Sequence, residues 1–360
     1  MQNKNDIITE NTYCSPLHFN YMKSNGPTQN DDLVESMQQI ESAILIGGWK
    51  KTKLWWELVS LMKSPSDYEI VRRLWLASPK SCRENLSVLR AVARAACISG
   101  EHMEGRTILR KAIIIASNKK RKQKSYLFKG KRYVKSMLKK SEMTKNQNTD
   151  SFEMHAKKAL HDLNVVLEDF GVKTFLISGT LLGFVRDGAI ISWDKDIDVG
   201  VFSEECTENI ENLFSSLSNF NVRRLDLSSD RVRVTHETGV GIDIFPHYME
   251  GGRRWHDGAA TRWWNTPFSL KKMKFLGVDQ WVPDNPELYL DENYGDWRVP
   301  EPNFDARLDA PNVEITDQDY FDSLIYFALL KTIVNDKQKM KHRYISLLRQ
   351  LGETTWLSRI

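Results

Sequence analysis

The stretch SWDKDIDVGVF, residues 192–202, alternates acidic and apolar residues in the pattern of a half-buried strand. Because alternate side chains of a strand point to opposite faces, Asp196 and Asp198 are expected on one face and the apolar residues between them in a core. Asp194 continues the acidic face if the strand extends that far. Neighbouring carboxylates on a buried strand are costly unless a cation neutralises them, and an all-oxygen ligand set favours Mg²⁺ or Mn²⁺ over zinc. The stretch therefore predicts a divalent metal site.

A segment of small residues lies upstream, SGTLLGFVRDG at residues 178–188, directly after the apolar run KTFLI. In a turn that follows a strand, Gly179 and Thr180 would let backbone N–H groups and a hydroxyl approach a phosphate closely. Arg186, one to two helical turns on, offers a charged fork for phosphate oxygens. By itself, the segment is better explained as a plain strand-to-helix turn with an exposed arginine.

A third segment, GVGIDIFPHY at residues 239–248, is predicted to be a short apolar strand that carries one carboxylate, Asp243. A single acid on a core strand needs a partner, which the metal site would supply. Together the three segments describe the metal centre of the nucleotidyltransferase fold, where one or two ions polarise a phosphoanhydride for in-line displacement. Asp243 is the candidate general base, whereas His236 and His247 are expected to be structural hydrogen-bonding residues.

The stretch WHDGAATRWW, residues 255–264, concentrates three tryptophans and one histidine. Two interpretations stay open for it. Its rings pack in the core and under a lid, which is the commoner use of such residues, or they stack on a base or a sugar.

Composition excludes several classes of protein. The 360 residues are 41% hydrophobic and 27% charged, as in an ordinary globular protein. No run approaches the ~20 apolar residues of a membrane-spanning helix, and the first residues lack a signal-peptide pattern. The four cysteines are scattered, so neither structural zinc nor a disulfide framework is expected. These features predict a cytoplasmic location.

The hydrophobic pattern divides the chain into four parts. Residues 1–30 are polar and are predicted to be a mobile tail. Residues 31–117 show helical stripes, which predict an all-α module of helical hairpins, either of tetratricopeptide type or a plain bundle. Such a module binds a protein partner or positions another domain. Residues 118–150 form a basic linker. Residues 151–360 are predicted to be an α+β transferase domain, with a nucleotidyltransferase-like mixed sheet, flanking helices and C-terminal helices.

Positive charge is concentrated between residues 117 and 146, where twelve lysines and arginines accompany one acid, Glu142. Such a cluster attracts polyanions. Residues 119–145 are therefore predicted to contact an anionic polymer or the inner face of an anionic membrane. A solvated linker explains the same composition equally well, and nucleic acid is not the expected partner.

The motifs SGTLLGFVRDG, WDKDIDVGVF and GIDIFPHY resemble, in order and spacing, those of the LicD/fukutin family of phosphotransferases. The segment VPDNPELYLDENYGDWRVP, residues 282–300, is similar to the closing motif of that family. The resemblance covers roughly residues 152–302, and nothing before residue 150 takes part in it. The ordered combination is specific, although each motif alone is not.

The resemblance implies a metal-dependent transferase that moves a phosphorylated alcohol from a CDP-activated donor to a sugar hydroxyl of a glycan or glycolipid, with release of CMP. The alcohol phosphate would be phosphocholine, ribitol phosphate or glycerol phosphate, and the product a capsule or cell-envelope polysaccharide. The cofactor would be Mg²⁺ or Mn²⁺. The implied site residues are Asp194, Asp196, Asp198 and Asp243 as metal ligands, the last three also catalytic, and Gly179, Thr180 and Arg186 as ligands of the donor phosphates.

Two other functions compete with this one. A DxD glycosyltransferase would use Asp196 and Asp198 to hold a nucleotide sugar, but it explains neither the Ser-Gly-Thr turn nor the third acid. A catalytically silent protein would bind polymer through its helical and basic parts. The intact acids at every expected position argue against it.

Overall fold

A computed structural model of the chain describes residues 27–129, 143–191, 194, 196–206, 209–214, 217–224, 227 and 229–360. Most of the predicted N-terminal tail, residues 1–26, lies outside the described residues. The first helix begins at Pro27, a residue well suited to an early helical position because it lacks an N–H group.

Helices frame the chain at both ends, with strands between them. The helices are α1 (Pro27–Leu45), α2 (Thr52–Ser60), α3 (Tyr68–Ala77), α4 (Lys80–Arg83), α5 (Leu86–Ile98), α6 (His102–Lys129), α7 (Met143–Asp169), α8 (Ser178–Asp187), α9 (Ile210–Leu213), α10 (Pro286–Tyr294), α11 (Ala306–Asp309), α12 (Gln318–Val334) and α13 (Gln338–Gln350). The strands are β1 (Thr174–Leu176), β2 (Asp196–Phe202), β3 (Phe220–Arg224), β4 (Val232–His236), β5 (Gly241–Glu250), β6 (Arg253–Gly258), β7 (Thr261–Asn265), β8 (Leu270–Phe275), β9 (Val278–Pro283) and β10 (Val313–Ile315).

The N-terminal helices bury the apolar stripes that the sequence predicts. Trp55, Leu89 and Leu109 are among the fully buried side chains of this core. The same core contains Leu329 of α12 and Leu348 of α13. The C-terminal helices, which the sequence analysis attached to the sheet region, therefore pack with the N-terminal helices. The cause is the composition of α12, which is apolar on nearly all sides and must be covered on more than one face.

Parts of the predicted basic linker are helical. Helix α6 continues to Lys129 and α7 begins at Met143, whereas residues 130–142 lie outside the described part. Residues 143–169 contain no glycine or proline, so nothing in the backbone chemistry ends the helix between Met143 and the apolar stripe that follows. Helix α7 therefore begins inside the segment predicted to be a linker.

The strands form one mixed sheet. Its order is β10-β7-β6-β5-β2-β1-β9-β8. Outside this order, β4 pairs with β5, and β3 pairs with β4. Strand β2 runs parallel to β5 and antiparallel to β1. The predicted α+β class, with a mixed sheet, flanking helices and a preceding all-helical region, is confirmed. Whether the helices repeat as tetratricopeptide hairpins stays a prediction.

The sheet and the helical region touch through the turn between β6 and β7. Ala260 adopts a left-handed φ of 60° in this turn and is buried in the helical core. The helical core therefore includes a residue of the sheet region. None of the described helices is both long and apolar enough to span a lipid bilayer.

Candidate active site

The acidic side chains of β2 and β5 meet at one position of the sheet. Asp198 pairs in register with Asp243 across the parallel strands, and Asp196 lies two residues earlier on β2. Ile197 and Val199 are fully buried between the acids, whereas Asp196 and Asp198 are partly exposed. The alternation predicted from the sequence is present, and it places these acids beside one another.

The N-terminus of α8 lies against the acids. The chain turns sharply from β1 into this helix, and Ser178 takes a left-handed φ of 49°. A Cβ atom on Gly179 would lie 2.7 Å from Asp194 Oδ2 and 3.9 Å from Asp198 Oδ2, so only glycine lets the carboxylates approach the helix this closely. A helix N-terminus presents unpaired N–H groups, which stabilise an anion such as phosphate.

Thr180 and Arg186, both predicted to hold phosphate, have different surroundings. The Thr180 hydroxyl is buried and accepts a hydrogen bond of 2.9 Å from the backbone N–H of Asp198, so it fixes β2 against α8. Arg186 pairs with Asp187 at 2.8 Å and lines the cavity beside the acids. Arg186 is therefore the one of the two that can reach a ligand there.

Two arginines join the acids, Arg233 of β4 and Arg231 immediately before that strand, and the sequence analysis missed both. Arg233 donates to Asp196 Oδ2 at 2.9 Å and to Asp243 Oδ2 at 3.4 Å. Arg231 lies 3.7 Å from the same oxygen of Asp243. The sequence pattern that could have identified them is the alternation in RVRV, residues 231–234, which puts both arginines on one face of a strand. Their position beside Asp243 depends on strand pairing, which the alternation does not reveal.

Burial and repulsion perturb the carboxylates. Burial raises the pKa of Asp198 well above its usual range, and the negative charges of Asp243, Asp196 and Asp194 add to the effect. Burial also raises the pKa of Asp243, although Arg231 acts in the opposite direction. Ionising these acids together is therefore costly, and a divalent cation would remove much of that cost.

A cavity of about 630 Å³ opens beside the acids. Asp194, Asp198 and Asp243 line it, with Gly179 at the same end. Among the described residues, Asp196 and Thr180 do not contribute to its wall. Part of the wall comes from the helical region, where Arg94 of α5 and Lys331 of α12 line the cavity. The N-terminal and C-terminal helices thus complete a site whose acids belong to the sheet.

The residues present fit a divalent metal ion. Asp243 Oδ1 is buried and has no hydrogen-bond partner among the described residues, so it has a free acceptor position. Carboxylate oxygens are the ligands that Mg²⁺ and Mn²⁺ prefer. Asp194 and Asp198 share the cavity wall with Asp243, whereas the carboxylate of Asp196 pairs with Arg233.

A second group of potential ligands lies elsewhere. Within the described part of the chain, ligand atoms of Asp162, His236 and Glu237 come within 4.8 Å of one another. Lys158 donates to Asp162 at 2.7 Å and to Glu237 at 2.8 Å, so its ammonium already neutralises the acids. His236 bonds Asp162 and Thr238 at 3.0 and 2.9 Å. The hydrogen bonds and the ion pairs to Lys158 account for this group without a metal ion.

A mixed sheet with paired acids on adjacent strands, covered by a helix N-terminus, defines a nucleotidyltransferase-type domain. Comparison with protein families agrees, since residues 171–285 match the family described as "LicD/FKTN/FKRP, nucleotidyltransferase domain". The C-terminal part of this chain belongs to the LicD family.

Similar proteins occur in animals and bacteria. The chain is 28% identical over 172 residues to "Ribitol-5-phosphate transferase FKTN" of Mus musculus, covering 45% of this chain and 37% of the relative. It is 26% identical over 153 residues to "Ribitol 5-phosphate transferase FKRP" of Homo sapiens, covering 39% of this chain and 31% of the relative. An uncharacterised protein of Rickettsia prowazekii is 26% identical over 167 residues, 42% of this chain and 60% of its own length. The match spans only about a third of the length of each named transferase, 37% and 31%.

Proposed function

We propose that this protein is a metal-dependent phosphotransferase that moves a phosphorylated alcohol from a CDP-activated donor to a sugar hydroxyl, releasing CMP. The observation that carries the proposal is the register of Asp198 with Asp243, at the cavity end where Gly179 opens the N-terminus of α8. That arrangement combines an anionic metal site with a phosphate site. Phosphoryl transfer needs both, because catalysis rests on positioning and on neutralising charge.

The donor phosphates would lie between α8 and the acids. Backbone N–H groups at Gly179 and the guanidinium of Arg186 would hold the phosphate oxygens. Asp194, Asp198 and Asp243 would hold the metal ion, with Asp196 as a further ligand in place of its pair with Arg233. When bound, Mg²⁺ or Mn²⁺ would neutralise the charge that develops on the leaving phosphate.

The sugar hydroxyl would attack the phosphorus that carries the alcohol. A new O–P bond forms, the bond from that phosphorus to the bridging oxygen of the diphosphate breaks, and CMP leaves with the electron pair. The proton of the hydroxyl goes to the carboxylate of Asp243, because a carboxylate next to a divalent cation stays ionised at neutral pH and can accept it.

Ribitol phosphate is the first donor group to test, because both named relatives are called ribitol-5-phosphate transferases. Phosphocholine and glycerol phosphate are the other two donor groups to test. The acceptor is proposed to be a glycan or glycolipid that belongs to a capsule or cell-envelope polysaccharide.

The proposal is tested with the purified full chain, Mg²⁺ or Mn²⁺, and CDP-ribitol, CDP-glycerol or CDP-choline, each with and without sugar acceptors. CMP release that stops on chelation and in Asp198→Asn supports the proposal. Release of UDP or GDP from nucleotide sugars, with none of CMP, would make the protein a glycosyltransferase. If no donor releases a nucleotide, the protein is a catalytically silent binding protein and the proposal is overturned.

A further inference from the structure

A buried histidine of β6 presents only its edge to the cavity. His256 is 3% exposed and lines the cavity, and its buried Nδ1 has no hydrogen-bond partner among the described residues. Its ring is flanked by two others, since the ring centroid of Trp263 lies 5.3 Å away in a stacked arrangement and that of His247 lies 4.6 Å away with the rings tilted by 30°. The ring can therefore not serve as a stacking surface, and what it offers a ligand is a hydrogen bond.

The chemistry of this ring selects an uncharged partner. Burial lowers the pKa of His256 to about 3, so the imidazole is neutral at physiological pH. A neutral imidazole both donates and accepts hydrogen bonds, as a hydroxyl does, but it gives an anion no charge. A phosphate is therefore a poor match for this position, and a hydroxyl is a good one.

Trp263 is held beside His256 in a fixed orientation. Its indole N–H donates to the carbonyl of Ala306 at 3.1 Å. Gly258 leaves room for the ring, because a Cβ there would come within 2.8 Å of it. Trp263 and Phe245 both line the cavity and supply apolar surface on either side of the His256 edge. Apolar ring surface next to a hydroxyl partner suits a pyranose, which has apolar C–H faces and polar edges.

The order of strands separates this wall from the proposed donor site. Across the sheet the order is β7, β6, β5, β2, β1, so Trp263 and His256 lie on one side of the acids of β5 and β2. Helix α8, which follows β1, lies on the other side. In-line displacement places the attacking hydroxyl and the leaving group on opposite sides of the phosphorus. Phe245 stands two residues from Asp243 on β5, about 7 Å along the strand, so this end of the wall lies next to the acids.

We infer that Phe245, His256 and Trp263 form the binding subsite for the acceptor sugar, with His256 holding one of its hydroxyls. This inference rests on the proposed function, and it adds the class of acceptor and the residues that select it.

The test compares variants in acceptor kinetics, using the methyl pyranosides of glucose, galactose and N-acetylglucosamine as probes. His256→Phe should raise the acceptor KM at least tenfold, with a much smaller change in the donor KM. His256→Asn, which keeps a polar group near Nδ1, should recover most of the lost affinity. Trp263→Leu should also raise the acceptor KM. Trp264→Leu is the matched control, because the neighbouring residue lies on the opposite face of β7 and its indole bonds Glu314.

Two outcomes overturn the subsite. One is an unchanged acceptor KM in folded His256→Phe and Trp263→Leu. The other is an equal rise in the donor KM, which would assign the wall to the donor nucleotide.

Direct binding separates this inference from the proposed function. Saturation-transfer NMR of the same pyranosides needs no turnover. If no donor releases CMP but pyranoside binding is present in wild type and lost in His256→Phe, the subsite stands and the proposed function fails. If wild type binds none of the pyranosides, the subsite is overturned.

Discussion

Gly179 faces Asp194 so closely that a methyl group on the glycine would lie 2.7 Å from the Oδ2 of the aspartate. The distance is shorter than any van der Waals contact, so the start of α8 and the acidic segment before β2 fit together only without a side chain at residue 179. The phosphate site and the metal site proposed here therefore share one wall. A change at the glycine should disturb both.

Gly179→Ala should reduce transfer at least tenfold while changing stability little, because the neighbouring carboxylate can rotate away from the new methyl group at the cost of its ligand position. Gly183→Ala, four residues on in the same helix, is the control. Its Cβ would lie 2.6 Å from the backbone oxygen of Ala189, which cannot rotate away. That variant should lose about 1–3 kcal/mol of unfolding free energy. Denaturant titration and CMP release measure the two effects, and equal behaviour of the variants would contradict the argument.

Asp198→Asn should abolish transfer and leave the fold intact. Burial and three neighbouring carboxylates already disfavour the ionised form of Asp198, so a neutral amide relieves repulsion in the metal-free protein. The melting temperature without metal should be unchanged or higher, and the rise that Mg²⁺ causes in wild type should disappear. Thermal melts with and without Mg²⁺ check this. Turnover close to wild type at saturating Mg²⁺ would remove Asp198 from the metal site.

Asp243→Asn should lower kcat by at least a hundredfold with a much smaller change in the donor KM. The side chain is 5% exposed and is proposed to take the proton of the acceptor, which matters in the transition state more than in the ground state. Steady-state kinetics with varied donor measures the split. A loss confined to the donor KM would show that Asp243 acts in binding, and the proton acceptor would have to be sought elsewhere.

Asp257, on β6, should make stability depend on pH. Burial, with a contribution from Asp230, raises the pKa of Asp257 to about 7, and the Ser229 hydroxyl donates to its carboxylate at 3.1 Å. Between about pH 4 and 7 the folded state holds a proton that the unfolded state has lost. The free energy of unfolding should therefore fall as the pH rises through this window, by an amount on the order of a few kcal/mol.

Asp257→Asn should flatten that part of the profile, because an amide does not titrate. Urea titrations of both proteins at several pH values in this window provide the measurement. Parallel profiles for wild type and variant would mean that Asp257 does not hold the extra proton.

The local part of the site is predictable from the sequence, because period-two alternation assigns faces without any knowledge of the tertiary fold. It places Asp196 and Asp198 on one face and Ile197 on the other, as the structure does. The pairing of β2 with β5 is a longer-range matter. More than forty residues separate Asp198 from Asp243, and the sequence suggested that they meet only indirectly, because a single acid on a core strand needs a partner and because the motifs resemble those of a known family.

The parts that sequence reasoning missed depend on which elements become neighbours. Arg233 reaches Asp196 and Asp243 because β4 pairs with β5, and an alternating strand does not name its partner. Arg94 reaches the cavity because α5 and α12 pack into one core, although more than two hundred residues separate them. Such contacts arise from the whole packing arrangement, whereas local patterns report only on one element.

The last prediction concerns the positive charge at the end of α6. Lys119 and Arg121 are exposed, Lys120 is half-buried, and the Arg121 guanidinium donates to the backbone oxygen of Ile360 at 2.9 Å. Replacing all three by glutamine should weaken binding to vesicles that contain anionic lipid, because each cation near such a surface contributes about 1 kcal/mol. High salt should have the same effect on wild type, since it screens the attraction.

The matched control replaces Lys271, Lys272 and Lys274, three exposed lysines of strand β8, by glutamine, which removes the same charge from a different surface. Vesicle sedimentation at low salt compares the proteins. We expect the α6 variant to bind at least tenfold more weakly than wild type and the β8 variant to bind within threefold of it. Transfer to a small acceptor in solution should be the same in all three, since these lysines and arginines lie outside the cavity wall. If both variants lose binding equally, net charge alone explains the attraction, and α6 is no more than a solvated helix that leads into the basic linker.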